Sequence, residues 1–283
     1  MKRSLMITIL LSITVAFSSH CPLYSLSISS LWAKITSLHR TKKINQEETI
    51  TIRSRIAIFN ICESFDCKKT SLNLIDAAKN NNIDGIIVLI DSCGGAASSF
   101  AVCYDLLKEI SSIKPVVALV LSEALSCGYL LASPAHYIIA HTLSRIGGIG
   151  VYCEVRRDKE LKVTGEVESQ MTVNLFKAGE FKTIYHPYEK ELAEHERAYI
   201  QNSLIKSYQL FKNIVASNRN LDLDDANRWA EGKTFNTKEA LSLGLIDQIG
   251  NFFDAEQKII ELIKEAYPSY DWAAEIEPIL YQD

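Results

Sequence analysis

The sequence carries no excess of either charge: 30 basic against 34 acidic side chains leave a net charge of -4. It therefore lacks the electrostatic footprint that polynucleotide binding demands, and nucleic acid is not an expected partner. Paired CxxC spacing is also missing. The seven cysteines, at 21, 62, 67, 93, 103, 127 and 153, are odd in number and stand apart from histidines, so neither a metal site nor a cofactor is expected. No internal repeat is visible along the 283 residues. Apolar material is not scarce: hydrophobic residues make up 47% of the chain, enough for a substantial core and too many for a disordered protein. Most cysteines then read as small packing residues, although Cys62 and Cys67 stand close enough in sequence to bridge in an oxidising compartment.

Lys2 and Arg3 precede an apolar run from Leu5 to Phe17, the charge-then-apolar order of an export signal. The run is short for a bilayer crossing unless the Ser-rich stretch to Trp32 extends it. Residues 1–31 thus have three readings: a cleaved signal, a retained membrane anchor, or a buried helix. The first two place the rest of the chain on the non-cytoplasmic side of a membrane. Residues 32–51 are polar and of mixed charge, which reads as a linker to a body starting at Ile52 and running to 283.

Within that body, Arg55 to Ile61 reads as a first strand and Leu72 to Asn80 as a helix. The run IDGIIVLIDS, residues 83–92, holds a continuous Ile/Val/Leu stretch, as a parallel strand buried on both faces requires. A helix over 98–113, a strand over 116–120, a short buried helix within SEALSCGYLLASP and a strand over 137–140 follow. This alternation predicts an α/β fold with a parallel sheet and a site at the carboxyl ends of its strands. Amphipathic helices are predicted over 187–217, 223–231, 237–243 and 253–266, making the C-terminal part mostly helical.

Two features at strand ends can carry chemistry. Ser126, between Leu125 and Cys127-Gly128, falls where a strand feeds a helix, so helix N–H groups would face a reacting carbonyl. The same serine could simply cap the helix. Gly94-Gly95 ends the most apolar strand and can offer backbone N–H groups to a cleft. None of the six histidines (20, 39, 136, 141, 186, 195) has a triad context. A lysine can replace histidine as the base only where burial depresses its pKa, and Lys177 and Lys182 lie beside glycine and aromatic residues in LFKAGEFKTIYHP.

The ordered set IDGIIVLIDSCGG, KPVVALV, ALSCGYLLASPAHYIIA, IGGIGV and FKAGEFKTIYHP resembles the signal peptide peptidase A (protease IV) family, in the ClpP/crotonase-like superfamily. The likeness continues through NRNLDLDDANRWAEGKTFNTKEALSLGLIDQIG and covers residues 52–255. It implies a ClpP-like fold of repeated ββα units and a serine peptidase without cofactor, with Ser126 as nucleophile and Lys182 as base. The oxyanion donors it implies are Gly95 with neighbouring Gly94, and Cys127. It further implies a homo-oligomeric ring and polypeptide substrates, namely signal peptide remnants and other membrane-proximal chains. Cys127 replaces the family's glycine, Cys93 its proline, Thr183 an aspartate, and Gly148 a serine that orients the lysine. Ser144 and Thr142 are candidates to substitute for that serine. Two rival readings are a catalytically silent scaffold and a crotonase-type acyl-thioester enzyme.

Overall fold

A computed structural model describes residues 39–44, 48–62, 65–155, 177–178, 180–182, 184–185, 191–268, 271–273 and 276–281. The N-terminal segment 1–31 lies outside the described residues. The apolar runs build the centre of one sheet: β3 (Ile83–Ser92) lies parallel between β4 (Val116–Leu125) and the second half of β2 (Glu48–Cys62). Along β4 the neighbour changes. Val117 to Val120 pair with β5 (Tyr137–Ala140), while Glu123 to Leu125 pair with β6 (Arg145–Gly147). The expected strand over 116–120 is therefore longer, because the polar Ser122 and Glu123 lie in a segment paired by a distant strand.

The stretch expected as linker carries structure. Its residues 39–44 form β1 (His39–Ile44), antiparallel to the start of β2, where Glu-Thr-Ile-Thr-Ile places β-branched residues in succession. Further strands complete the sheet: β7 (Thr234–Asn236) is antiparallel to β6, β8 (Gln248–Ile249) parallel to β5, β9 (Asp271–Ala273) antiparallel to β1, and β10 (Ile276–Tyr281) parallel to β2. The α/β architecture with a mainly parallel sheet is the one the sequence predicts.

The helices are α1 (Cys67–Lys79), α2 (Ala97–Ser111), α3 (Cys127–Ala132), α4 (Glu194–Arg219), α5 (Ala226–Trp229), α6 (Thr237–Ser242) and α7 (Phe252–Ala266). The helix expected over 187–217 begins at Glu194, where the Glu196 carboxylate accepts the Ala193 N–H at 2.9 Å. The one expected over 223–231 shrinks to four residues, since Glu231 and Gly232 turn to positive φ and end it. Helix α7 crosses β3 and β4 with Ile259 and Ile263 fully buried.

Glu256, on α7, is 7% exposed, and among the described residues its Oε1 has no hydrogen-bond partner. Burial raises its pKa above the ordinary 4.5, so the folded state holds a proton that the unfolded chain releases. Its contribution to stability is then complete below pH 4.5 and is lost as pH rises through the folded value. Glu256→Gln is expected to raise stability at pH 7.5 by about 1 kcal/mol and to flatten the slope above pH 4.5, read by urea unfolding across pH. An unchanged slope would show that Glu256 is not its source.

Candidate active site

The carboxyl ends of β3 and β4 lie side by side, and each delivers one feature singled out in the sequence. Ladder pairing runs from Ile90–Val120 to Ser92–Ala124, so β4 carries two extra residues there and bulges. The bulge re-aims the strand end. Its carbonyls are held by Ser144, a buried side chain whose hydroxyl donates to Leu121 O at 2.8 Å and reaches Val120 O at 3.3 Å. Ser144 is thereby held against β4, its hydroxyl proton engaged by the carbonyls of that strand. Thr142 lies at the same corner, where its carbonyl accepts the Thr237 hydroxyl at 2.9 Å.

Immediately after β4, Ser126 turns with φ 50° and ψ -123°, and its side chain makes no capping bond to α3. That backbone region belongs to glycine in type II′ turns, and a side-chain-bearing residue held there is strained. The simple-cap alternative for Ser126 is therefore excluded in this geometry. The turn is fixed on two sides. Its N–H donates to Gly147 O at 2.8 Å, and its carbonyl accepts the Leu130 N–H at 3.0 Å.

Two glycines press on this turn. At Gly94 (φ 97°) an added β-carbon would lie 2.8 Å from the Ser126 β-carbon and 2.9 Å from the Cys127 nitrogen. Gly148 (φ 63°) would place one 2.9 Å from the Ser126 nitrogen. Restoring the family's serine with Gly148→Ser is accordingly expected to lower stability by about 2 kcal/mol in urea unfolding, with an unchanged midpoint refuting the clash.

The expected oxyanion donors divide. The Gly94 N–H donates to the buried Ser92 hydroxyl at 3.1 Å and is not free for a ligand. Gly95 N–H and the Ser126 hydroxyl both lie close to the Cys127 thiol. Burial pushes that thiol up, against these two donors, which favour the thiolate. Cys127 opens α3, so its own N–H is one of those without an intrahelical acceptor. Gly95 and Cys127 thus converge beside Ser126, with Gly94 as the spacer that lets them approach.

Beside Ser126 runs a cleft of about 650 Å³, walled by Gly148, Tyr152, Leu204 and Ile205, with Tyr208 and Glu231 further along it. The Tyr208 hydroxyl donates to Glu231 Oε1 at 2.7 Å and accepts the Glu231 N–H at 2.9 Å. Of these lining residues Gly148 was singled out from the sequence, while Leu204, Ile205 and Tyr208 were not. The amphipathic period of α4 was their signal, but period alone does not say which face meets a cleft.

Lys182 lies in an exposed turn over 180–182 and is not among the cleft-lining residues; Lys177 is exposed as well. That turn is docked on α4, with Phe181 stacked on Tyr199 at 4.5 Å and Glu180 3.2 Å from His195. Among the described residues no lysine or histidine hydrogen-bonds the Ser126 hydroxyl. His136 is ruled out as its partner by position. It accepts the Val116 N–H at the amino end of β4, about 30 Å along the strand from Ser126.

The sequence profile of peptidase family S49 matches residues 108–265, more than half of the chain. The chain belongs to peptidase family S49. It is 29% identical over 199 residues to a protein of Methanocaldococcus jannaschii described as a candidate protease, covering 70% of this chain and 62% of that one. It is 30% identical to the chloroplastic serine protease SPPA of Arabidopsis thaliana over 58% of this chain and 24% of that one. With Protease 4 of Haemophilus influenzae the identity is 26% over 67% of this chain and 30% of the other. The chain thus spans from about a quarter to three-fifths of the length of these relatives, whose names support the signal peptide peptidase A resemblance read from the motifs. Among solved structures, a ClpP1 mutant from Listeria monocytogenes is 14% identical with a TM-score of 0.46, over 71% of this chain and 93% of that one.

Proposed function

We propose that this S49 protein is a serine endopeptidase that attacks peptide carbonyls with Ser126. The observation that carries the reading is the strained Ser126 turn at the joint carboxyl ends of β3 and β4, beside an open cleft. Strain of this kind survives only where surrounding structure enforces it, and it concentrates at reactive residues. The Ser126 oxygen adds to the carbonyl, the Gly95 and Cys127 N–H groups hold the resulting oxyanion, and the peptide amine leaves with a proton. Water then hydrolyses the acyl-enzyme.

Lys182 is the base in this proposal, and a second copy of the chain brings it into play. Helix α4 supports such an assembly. Of its 26 residues only Ile200, Phe211, Val215 and Ala216 are buried, while Tyr199, Ile205 and Leu210 stand exposed. A homo-oligomer, ring-shaped as the resemblance implies, covers this helix and the 180–182 turn docked on it. The substrates are unfolded polypeptides near a membrane, signal peptide remnants among them, and the apolar cleft wall suits such chains. The N-terminal segment anchors or exports the domain to the non-cytoplasmic side. Among the described residues no helix is long and apolar enough to cross a membrane.

A second reading, the silent scaffold, is favoured by one observation: among the described residues no lysine or histidine hydrogen-bonds the Ser126 hydroxyl. A fluorophosphonate probe separates the two. Labelling of Ser126 in the oligomer supports the peptidase; an unlabelled oligomer that also leaves unfolded casein intact supports the scaffold.

A further inference from the structure

Helix α1 opens at Cys67, after Asp66 caps it by accepting the Lys68 and Lys69 N–H groups at 2.9 and 3.1 Å. Cys103 lies on α2 and is fully buried. The two sulfur atoms are 3.6 Å apart, 36 residues distant in sequence. Neighbouring groups hold both thiols on the line where the helices meet: Cys67 Sγ donates to Ser99 O at 2.5 Å, and Ser71 Oγ lies 3.4 Å from Cys103 Sγ. A disulfide needs the sulfurs at about 2.05 Å, so the remaining approach is about 1.5 Å, within reach of side-chain rotation.

We propose that Cys67 and Cys103 form a reversible disulfide that staples α1 to α2 beneath the loop carrying Gly95. The two thiols differ in access, which sets the order of events. Cys67, half-buried, meets an external oxidant first; Cys103 can be reached only through Cys67. With oxidised glutathione as oxidant, the Cys67 thiolate attacks one glutathione sulfur, forming a mixed disulfide and releasing one glutathione thiolate. The Cys103 thiolate then attacks the Cys67 sulfur and expels the second glutathione. Two protein thiols are oxidised, one glutathione disulfide is reduced, and the two protons pass to the released glutathione thiolates.

The staple sits where it bears on the candidate site. One turn before Cys103, Phe100 packs edge-on against Phe65 with ring centres 5.1 Å apart. On its other side the Phe100 ring supports Gly95, where an added β-carbon would be 3.1 Å from it. Locking the α1–α2 seam therefore fixes the platform on which Gly95 rests. The chemistry of the thiol pair itself is independent of the peptidase reading.

The test uses the full chain, reduced, then equilibrated in a glutathione redox buffer and mapped by non-reducing peptide mass spectrometry with thermal unfolding alongside. The expected result is a Cys67–Cys103 linked peptide and a Tm raised by roughly 5–10 °C, both reversed by a dithiol reductant. Cys67→Ser should abolish the link and the shift, and Cys62→Ser should leave both intact. A stable glutathione adduct on Cys67 with Cys103 still free overturns the proposal. So does a Cys62–Cys67 link, or a Cys67–Cys103 link with no change in Tm.

Discussion

Ser126→Gly is expected to yield a protein that is more stable than the wild type by about 1 kcal/mol and cleaves peptides at least about a thousandfold more slowly. The two effects have different causes. Glycine occupies φ 50°, ψ -123° without a β-carbon penalty, which removes strain on the order of 1–3 kcal/mol, while its extra freedom in the unfolded chain gives back roughly 0.5–1 kcal/mol. No cap is lost, because the Ser126 side chain does not cap α3. Ser126→Ala keeps the strain and loses only the hydroxyl, so its stability should stay within about 0.5 kcal/mol of wild type while activity falls as far. Urea unfolding and a fluorogenic peptide assay read the two effects separately. A glycine variant less stable than wild type would refute the strain, whereas alanine or glycine variants with undiminished hydrolysis would end the peptidase reading.

Asp247→Ala is expected to lower stability by about 3 kcal/mol, or Tm by roughly 10 °C. Asp247 accepts from Arg219 at 2.7 Å and from the Ile138 N–H at 2.7 Å, and the Arg219 side chain is only 7% exposed. Removing the carboxylate strands a buried guanidinium and an amide together. The same cluster reaches α3: Tyr129, fully buried next to the Ser126 turn, donates its hydroxyl to Leu245 O at 2.7 Å. Burial holds that phenol well above its usual range, Arg219 opposing and Asp247 reinforcing. The double variant Arg219→Met, Asp247→Leu should be closer to wild type than either single change, since no charge is left unpaired. Additive losses in the cycle would refute the coupling.

What the sequence discloses depends on range. The runs at 86–90 and 116–120 are apolar at every step, so buried parallel strands could be read from them, and the strand ends located Gly94-Gly95 and Ser126. The backbone angles of Ser126 could not be read. They arise from a bulge held by Ser144 and from Gly94 and Gly148 pressing on the turn, all set by neighbours distant in the chain. Cysteine neighbours were equally out of reach: spacing allowed Cys62 and Cys67 to bridge without deciding it, while helix packing brings Cys67 to Cys103. The resemblance could align Lys182 with a base but not report its exposure, which follows from the docking of the 180–182 turn on α4 through Phe181 and Tyr199.

The segment between Gly148 and Lys233 starts and ends at one doorway, because Gly148 N–H donates to Lys233 O at 2.7 Å and Gly232 N–H to Ile149 O at 2.9 Å. Its two ends are already joined, so each doubling of its length would add only about 0.6 kcal/mol of closure entropy. Insertions in its exposed stretches therefore cost little, whereas α4 stays tied to the core through Phe211, Val215 and Ala216 and cannot be exchanged wholesale.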